Sequence, residues 1–124
     1  MLELKEVSRR VAGVDHLAGI SLRLAPGVVH VLLGPARAGK TSLMRVMAGL
    51  DRPGVGSIWF DGADVTGKPV AKRNVAMVYQ QFINYPSMTV ADNIASPLKL
   101  RGDGRDPRAI DARVQELAAQ LHIE

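Results

Sequence analysis

An α/β fold is predicted for this sequence, and three observations predict it. A short apolar run, VVHVLL at 28–33, leads straight into a glycine-rich loop; a helical apolar stripe follows that loop; and further segments on either side have the pattern of antiparallel strands. The 124 residues suffice for a domain with a hydrophobic core, and 47% apolar with 23% charged residues is the composition of a folded globular chain.

Taken in order, Leu2, Leu4 and Val7 open a strand-like pattern, and Ile20, Leu22 and Leu24 alternate with Ser21, Arg23 and Ala25 as in a half-buried strand. Ala25-Pro26-Gly27 turns the chain. VVHVLL shows little alternation, which predicts a strand covered on both faces. Beyond the loop, Leu43, Val46, Met47 and Leu50 recur at helical spacing, and Gly49 with Asp51-Arg52-Pro53-Gly54 ends that helix. SIWF, 57–60, and VAMVY, 75–79, are expected as two more strands, separated by the turn DGADVTG. Thr89, followed three residues on by Asp92, predicts a cap on a short helix through Ile94, with the polar stretch RGDGRD, 101–106, as its break. Asp106 and Pro107 suit the cap and first position of a final helix lined by Ile110, Val114, Leu117 and Leu121.

Composition narrows the chemistry. With no cysteine, disulfides, thiolate zinc sites and thiol catalysis are excluded. His16, His30 and His122 lack metal-ligand spacing and are expected to be structural. The net charge of +4 comes from scattered basic residues, and aromatics for base stacking are few, so a solvated basic surface is expected and no nucleic-acid partner. MLELKEVSRR has no apolar signal core and no run is long enough to span a bilayer, so a cytoplasmic chain without membrane insertion is expected.

The chemistry-bearing text is LGPARAGKTS, 33–42, which contains G-x-x-x-x-G-K-T between a predicted strand and a predicted helix. A loop whose backbone N–H groups curl inward at a helix N-terminus offers donors and a favourable dipole to phosphate without bulky side chains. Gly34, Pro35, Ala36, Arg37, Ala38, Gly39, Lys40, Thr41 and Ser42 are therefore the candidate nucleotide-binding residues of a P-loop (Walker A). Gly34 lets the chain leave the strand sharply and Gly39 lets backbone approach phosphate. Lys40 is placed to reach the terminal phosphates, the Thr41 hydroxyl to ligate Mg2+, and Ser42 to add a phosphate hydrogen bond.

The run VAMVYQQFINYPSMTVADNI, 75–94, resembles the Q-loop region of ATP-binding-cassette (ABC) transporter ATPases: a buried strand, an aromatic-glutamine pair, then Tyr-Pro-x-Met-Thr-Val-x-Asp-Asn-Ile. Ser42-Leu43-Met44-Arg45-Val46-Met47-Ala48-Gly49-Leu50, the turn Pro53-Gly54-Val55-Gly56-Ser57-Ile58 and Lys72-Arg73-Asn74-Val75 are similar to the same family, in detail to the ATPases of sugar and polyol importers, including those for glycerol or glycerol phosphate. The resemblance implies an incomplete P-loop NTPase core with peripheral antiparallel strands over residues 1–84, and over 85–124 the Q-loop continuation and the start of a helical subdomain. It implies the ATP-binding subunit of an importer that couples Mg-ATP binding and hydrolysis to solute uptake, peripheral at the inner face of the cell membrane. In that reading Gln80 is catalytic and ligates Mg2+ or orients water; Gln81 is its neighbour and rival, but the first glutamine after the aromatic matches the family position. Phe82, Tyr85, Pro86 and Met88 are the candidate contact with transmembrane permease subunits, and a second nucleotide-binding subunit completes the ATP site.

Three departures from the family pattern carry expectations. The adenine-stacking aromatic falls on Val11, which should loosen nucleotide by about two- to tenfold. Arg37 stands where small residues and a glycine are common, so it must accept glycine-like backbone geometry, its side chain turned either to solvent or towards phosphate. The family's signature segment, Asp-Glu strand and switch histidine would follow Glu124, so these residues by themselves are expected to bind nucleotide without hydrolysing it. Two alternatives stand beside this reading: a truncated non-hydrolytic nucleotide-binding or interaction module, and a small P-loop kinase. For Asp61, which imitates a metal-binding aspartate at a strand end, a turn role is expected.

Overall fold

The computed structural model describes residues 1–101 and 106–124, so the predicted break at RGDGRD lies largely outside the described residues. The chain divides into two compact units, Met1–Val78 and Tyr79–Glu124.

The first unit is built on a four-stranded antiparallel sheet. Its strands are β1 (Leu2–Val11), β2 (Val14–Leu24), β3 (Val55–Phe60) and β4 (Ala63–Asp64), in the order β2-β1-β3-β4. Helix α1 spans Lys40–Ala48. The alternation read from the sequence sets the register: Leu4 lies opposite Leu22 on one side and Ile58 on the other, and Leu2 opposite Leu24 and Phe60. One face of the sheet is therefore apolar. Leu4, Val7 and Ile58 from that face meet Leu43 and Val46 of α1, with Leu17 and Val65, in a closed cluster. Leu4, Val7, Val46 and Ile58 are essentially fully buried, each worth roughly 1.5–3 kcal/mol of transfer free energy.

Two local features hold this sheet in shape. At the irregularity between Lys5 and Ser8, Glu6 turns to φ +50°, and Gly56 (φ +90°) passes so close that a Cβ there would lie 2.3 Å from the Glu6 carbonyl oxygen. Only glycine fits that crossing. Asp61 (φ +48°) and Gly62 (φ +79°) form the two-residue turn between β3 and β4, the Asp-Gly geometry of a hairpin, and the Asp61 carboxylate pairs with the N-terminal ammonium. At the end of α1 the Arg45 guanidinium donates to Asp51 through Nε (2.8 Å) and Nη2 (3.3 Å), which holds the Asp51 carboxyl below its usual range. Arg73 donates to the carbonyls of Met47 (3.0 Å) and Val65 (2.7 Å), tying the last turn of α1 to the residues after β4, and its burial lowers its pKa.

Two predicted strands do not form. Residues 28–33 and 75–79 belong to no ladder among the described residues; 28–33 is exposed throughout, with Val29 90% accessible, and 75–79 alternates half-buried Val75, Met77 and Tyr79 with exposed Ala76 and Val78, the latter 92% accessible. The physical reason is pairing. A run that is apolar on both faces becomes a strand only when neighbours satisfy its N–H and C=O groups, and no described segment lies beside either run in register. An apolar groove of about 440 Å³, lined by Leu22, Leu24, Val31, Leu32, Leu43 and Met47 among others, opens beside the first run.

The second unit is a pair of packed helices, α2 (Val90–Leu100) and α3 (Pro107–Gln120). Thr89 caps α2 by accepting from the Asp92 N–H at 3.1 Å, but the helix runs on to Leu100 rather than ending at Ile94, with Pro97 inside it. Proline at this point forfeits one intrahelical bond, and the turn is regained when Arg101 N–H donates to the Pro97 carbonyl at 3.2 Å. Asp106 caps α3 and Pro107 is its first residue. Val114 and Ala118 are buried and Ile110 and Leu117 half-buried, whereas Leu121, expected on the same side, lies past the last helical residue and is 65% exposed.

Candidate functional site

The glycine loop connects the apolar run 28–33 to the N-terminus of α1. Within it, Ala38 N–H donates to the Pro35 carbonyl at 3.2 Å, and the chain turns through Arg37 at φ +66° and Gly39 at φ +91°. Arg37 thus takes up a left-handed backbone that glycine adopts more cheaply, at a cost on the order of 1 kcal/mol. At Gly39 no other residue is tolerated, for a Cβ would stand 2.5 Å from the His16 carbonyl oxygen of β2. That close approach seats the loop on the sheet.

Helix α1 starts at Lys40, and its first bond runs from Leu43 N–H to the Gly39 carbonyl at 2.9 Å. The amides of Lys40, Thr41 and Ser42 consequently have no partner within the helix, no side chain caps it, and its first turn has no acidic residue. Such a helix end favours an anion. Lys40 Nζ donates to the carbonyls of Gly34 and, at 2.7 Å, Pro35, folding its ammonium over the loop. Neutral carbonyls are weaker partners for an ammonium than phosphate oxygens, so an incoming phosphate can take over these bonds. Thr41 is exposed and Ser42 half-buried, with the Ser42 Oγ 3.1 Å from His16 Nδ1. Gly34, Pro35, Ala36 and Ala38 lie along the exposed rim.

Val11 ends β1 beside the turn through Ala12 and Gly13, pairs with Val14, and is 37% exposed. It offers an apolar surface without a ring. Asp61 lies in the β3–β4 turn, and among the described residues no group of three or more acidic or histidine side chains could hold a metal.

Gln80, Gln81, Phe82, Tyr85, Pro86 and Met88 belong to the second unit, and the glycine loop belongs to the first. Gln80 and Gln81 are exposed, and the loop that follows displays Phe82 (fully accessible), Ile83, Tyr85 and Met88. One residue shapes this loop. Asn93, in the first turns of α2, accepts from Tyr85 N–H at 2.8 Å and donates from Nδ2 to the carbonyls of Thr89 (2.9 Å), Tyr85 (3.2 Å) and Met88 (3.3 Å). The stretch from Tyr85 to Thr89 is thus pinned at both ends, with Phe82 and Ile83 displayed just before it. Asn93 leaves no residue-type signal in the sequence, because its partners are main-chain atoms; His16, expected to be structural because it lacks metal-ligand spacing, meets Ser42 across 26 residues.

With the fold and loop described, comparison with known proteins is direct. The ABC transporter family matches residues 17–124, and the chain belongs to that family. It is 43% identical over 99% of its length to the spermidine/putrescine import ATP-binding protein PotA of Nitrosospira multiformis. To the Fe(3+) ions import ATP-binding protein FbpC of Escherichia coli K12 it is 36% identical, and to the sulfate/thiosulfate import ATP-binding protein CysA of Pseudomonas aeruginosa 38%, each over 99% of the chain. It spans about a third of the length of these relatives: 33%, 35% and 38% respectively. An ATP-binding cassette solved as a dimer in a post-hydrolysis state with ADP and Pi superimposes over the whole chain at a TM-score of 0.85, with 22% identity and 58% of that chain covered. The likeness shows the fold: mixed helices and antiparallel sheet forming part of an ATP-binding cassette. The sugar and polyol kinship suggested by the motifs finds no support in these relatives, whose names cite polyamines, Fe(3+) and sulfate or thiosulfate.

Proposed function

We propose that this chain is the N-terminal part of the ATP-binding subunit of an ABC importer, and that Gly34 to Ser42 bind the phosphates of ATP. The observation that carries this is the uncapped start of α1, seated on β2 by Gly39, with Lys40 folded over the carbonyls of Gly34 and Pro35. These groups form an anion site assembled before any anion arrives. In this reading the amides of the loop and of the first turn hold the phosphates, Lys40 neutralises the terminal ones, and Ser42 donates a hydrogen bond. The Thr41 hydroxyl and the Gln80 amide oxygen are neutral oxygen donors suited to Mg2+, which would supply charge neutralisation at the phosphates. Val11 leaves the adenine side without ring stacking.

Phe82, Tyr85, Pro86 and Met88, on the loop pinned by Asn93, form the surface offered to a permease subunit, and Gln80 at the start of that loop links nucleotide to partner. A second ATP-binding subunit would complete the site, with the assembly at the cytoplasmic face of the membrane; no described helix is long and apolar enough to cross a bilayer. Hydrolysis belongs to the assembled full-length subunits. The cargo is left to the permease and binding components, since relatives of similar identity are named for chemically unrelated solutes. Family membership displaces the small-kinase alternative.

The test is ligand-dependent stability. At about 100 times its dissociation constant, Mg-ATP should stabilise the folded chain by roughly 2.7 kcal/mol, and Lys40→Ala should remove most of that gain. A melting curve of folded chain that Mg-ATP does not move would sink the nucleotide reading.

A further inference from the structure

His16 is not among the residues that the phosphate-loop pattern identifies, yet β2 brings it to the loop twice. Its carbonyl oxygen abuts Gly39, where the absence of a Cβ permits the contact, and its imidazole Nδ1 lies 3.1 Å from the Ser42 hydroxyl. The first contact fixes the backbone from which the second is made. Resting on the nucleotide reading above, we infer that His16 is a positioning residue for phosphate binding, orienting the Ser42 hydroxyl by hydrogen bonding.

Ser42 Oγ has one proton and two lone pairs. Left alone, a serine hydroxyl near a helix start can bond back to a carbonyl three or four residues before it, which spends its proton inside the protein. If Nδ1 carries hydrogen, the imidazole donates to Ser42 Oγ and the hydroxyl proton remains available to an anion at the helix end. If Nδ1 is bare, it accepts that proton and Ser42 presents only lone pairs, which repel phosphate. An anion held by Ser42 therefore selects the form in which His16 donates through Nδ1. The chain of bonds then runs from Nδ1–H to Oγ and from Oγ–H to phosphate, each donor pointing towards the negative charge and polarising the next. Both the Nδ1–H tautomer and the imidazolium satisfy it.

The experiment is a calorimetric titration of the full chain with Mg-ATP, arranged as a double-mutant cycle between His16 and Ser42. His16→Ala should weaken binding about three- to tenfold, the worth of one net hydrogen bond. His16→Asn, whose amide N–H sits at a similar reach, should restore most of the loss. In a Ser42→Ala background, His16→Ala should add nothing. An unchanged affinity in His16→Ala, or an equal loss with and without the Ser42 hydroxyl, overturns the positioning role while leaving the nucleotide site standing. Parent chain that binds Mg-ATP no better than Lys40→Ala overturns the nucleotide reading, and this role with it. Should His16→Ala fail to fold, nitrogen NMR of the parent decides: Nδ1 protonated in the ATP complex upholds the relay, and Nδ1 bare overturns it.

Discussion

Two parts of the first unit have similar hydrophobicity and opposite fates. In the sheet and α1, Leu4, Val7, Val46 and Ile58 are at most 1% exposed, whereas in the unpaired runs Val29, Leu33 and Val78 are 86–92% exposed. The difference is not in the side chains. The sheet's strands pair with one another and present one apolar face, which α1 covers. The runs at 28–33 and 75–79 need strands on either side and find none among the described residues. Hydrophobic pattern states a demand for burial, and only a partner at the right edge meets it.

The comparison can be broken most forcefully at Ile58. Ile58→Ala should cost about 2–5 kcal/mol of unfolding free energy by denaturant titration, since the residue is fully buried between β1 and α1. A loss below about 0.5 kcal/mol would mean that the sheet is no better packed than the runs. Next in size is Asn93→Ala, which removes four hydrogen bonds to the 85–89 backbone. Amide exchange at Tyr85 and neighbouring residues should quicken by about tenfold or more, and unchanged exchange would show the loop to be held by something else.

The acid limb of stability tests the end of α1. Because Arg45 holds the Asp51 carboxyl below its ordinary 3.8, its contribution is present above that value and is lost as pH falls through the lower folded one. Asp51→Asn should therefore lower stability at neutral pH and flatten the decline below about pH 4, as followed by melting at stepped pH. The smallest effect is expected from Val29→Ser. At 90% exposure the change should stay within about 0.5 kcal/mol in this chain, and a cost approaching that of Ile58→Ala would show the run to be buried after all.

Much of the fold is legible from spacing. Alternation at Ile20, Leu22 and Leu24 marks β2, the stripe Leu43, Val46 and Met47 marks α1, and Asp106-Pro107 marks the start of α3. The end of α2 lies at Leu100 and not at the expected Ile94, with Pro97 accommodated inside the helix and the Arg101 N–H bonded to its carbonyl. In the candidate site, the loop Gly34 to Ser42 is legible because the pattern G-x-x-x-x-G-K-T fixes residue type at Gly34, Gly39, Lys40 and Thr41. His16 and Asn93 are not, since one acts across 26 residues and the other on main-chain atoms.

The sequence by itself determined the strand patterns of β1 and β2, the order of glycine loop and helix, the caps at Thr89 and Asp106 and the family to which the chain belongs. All of these depend on neighbours in the chain or on side-chain period. Only the tertiary structure decided that Gly39 rests on the His16 carbonyl, that Lys40 closes over the Gly34 and Pro35 carbonyls, that Asn93 staples the exposed loop, and that two apolar runs stand unpaired. The reason is physical: main-chain groups are the same in every residue, so their pairing is decided by which segments meet in space and not by which letters they carry.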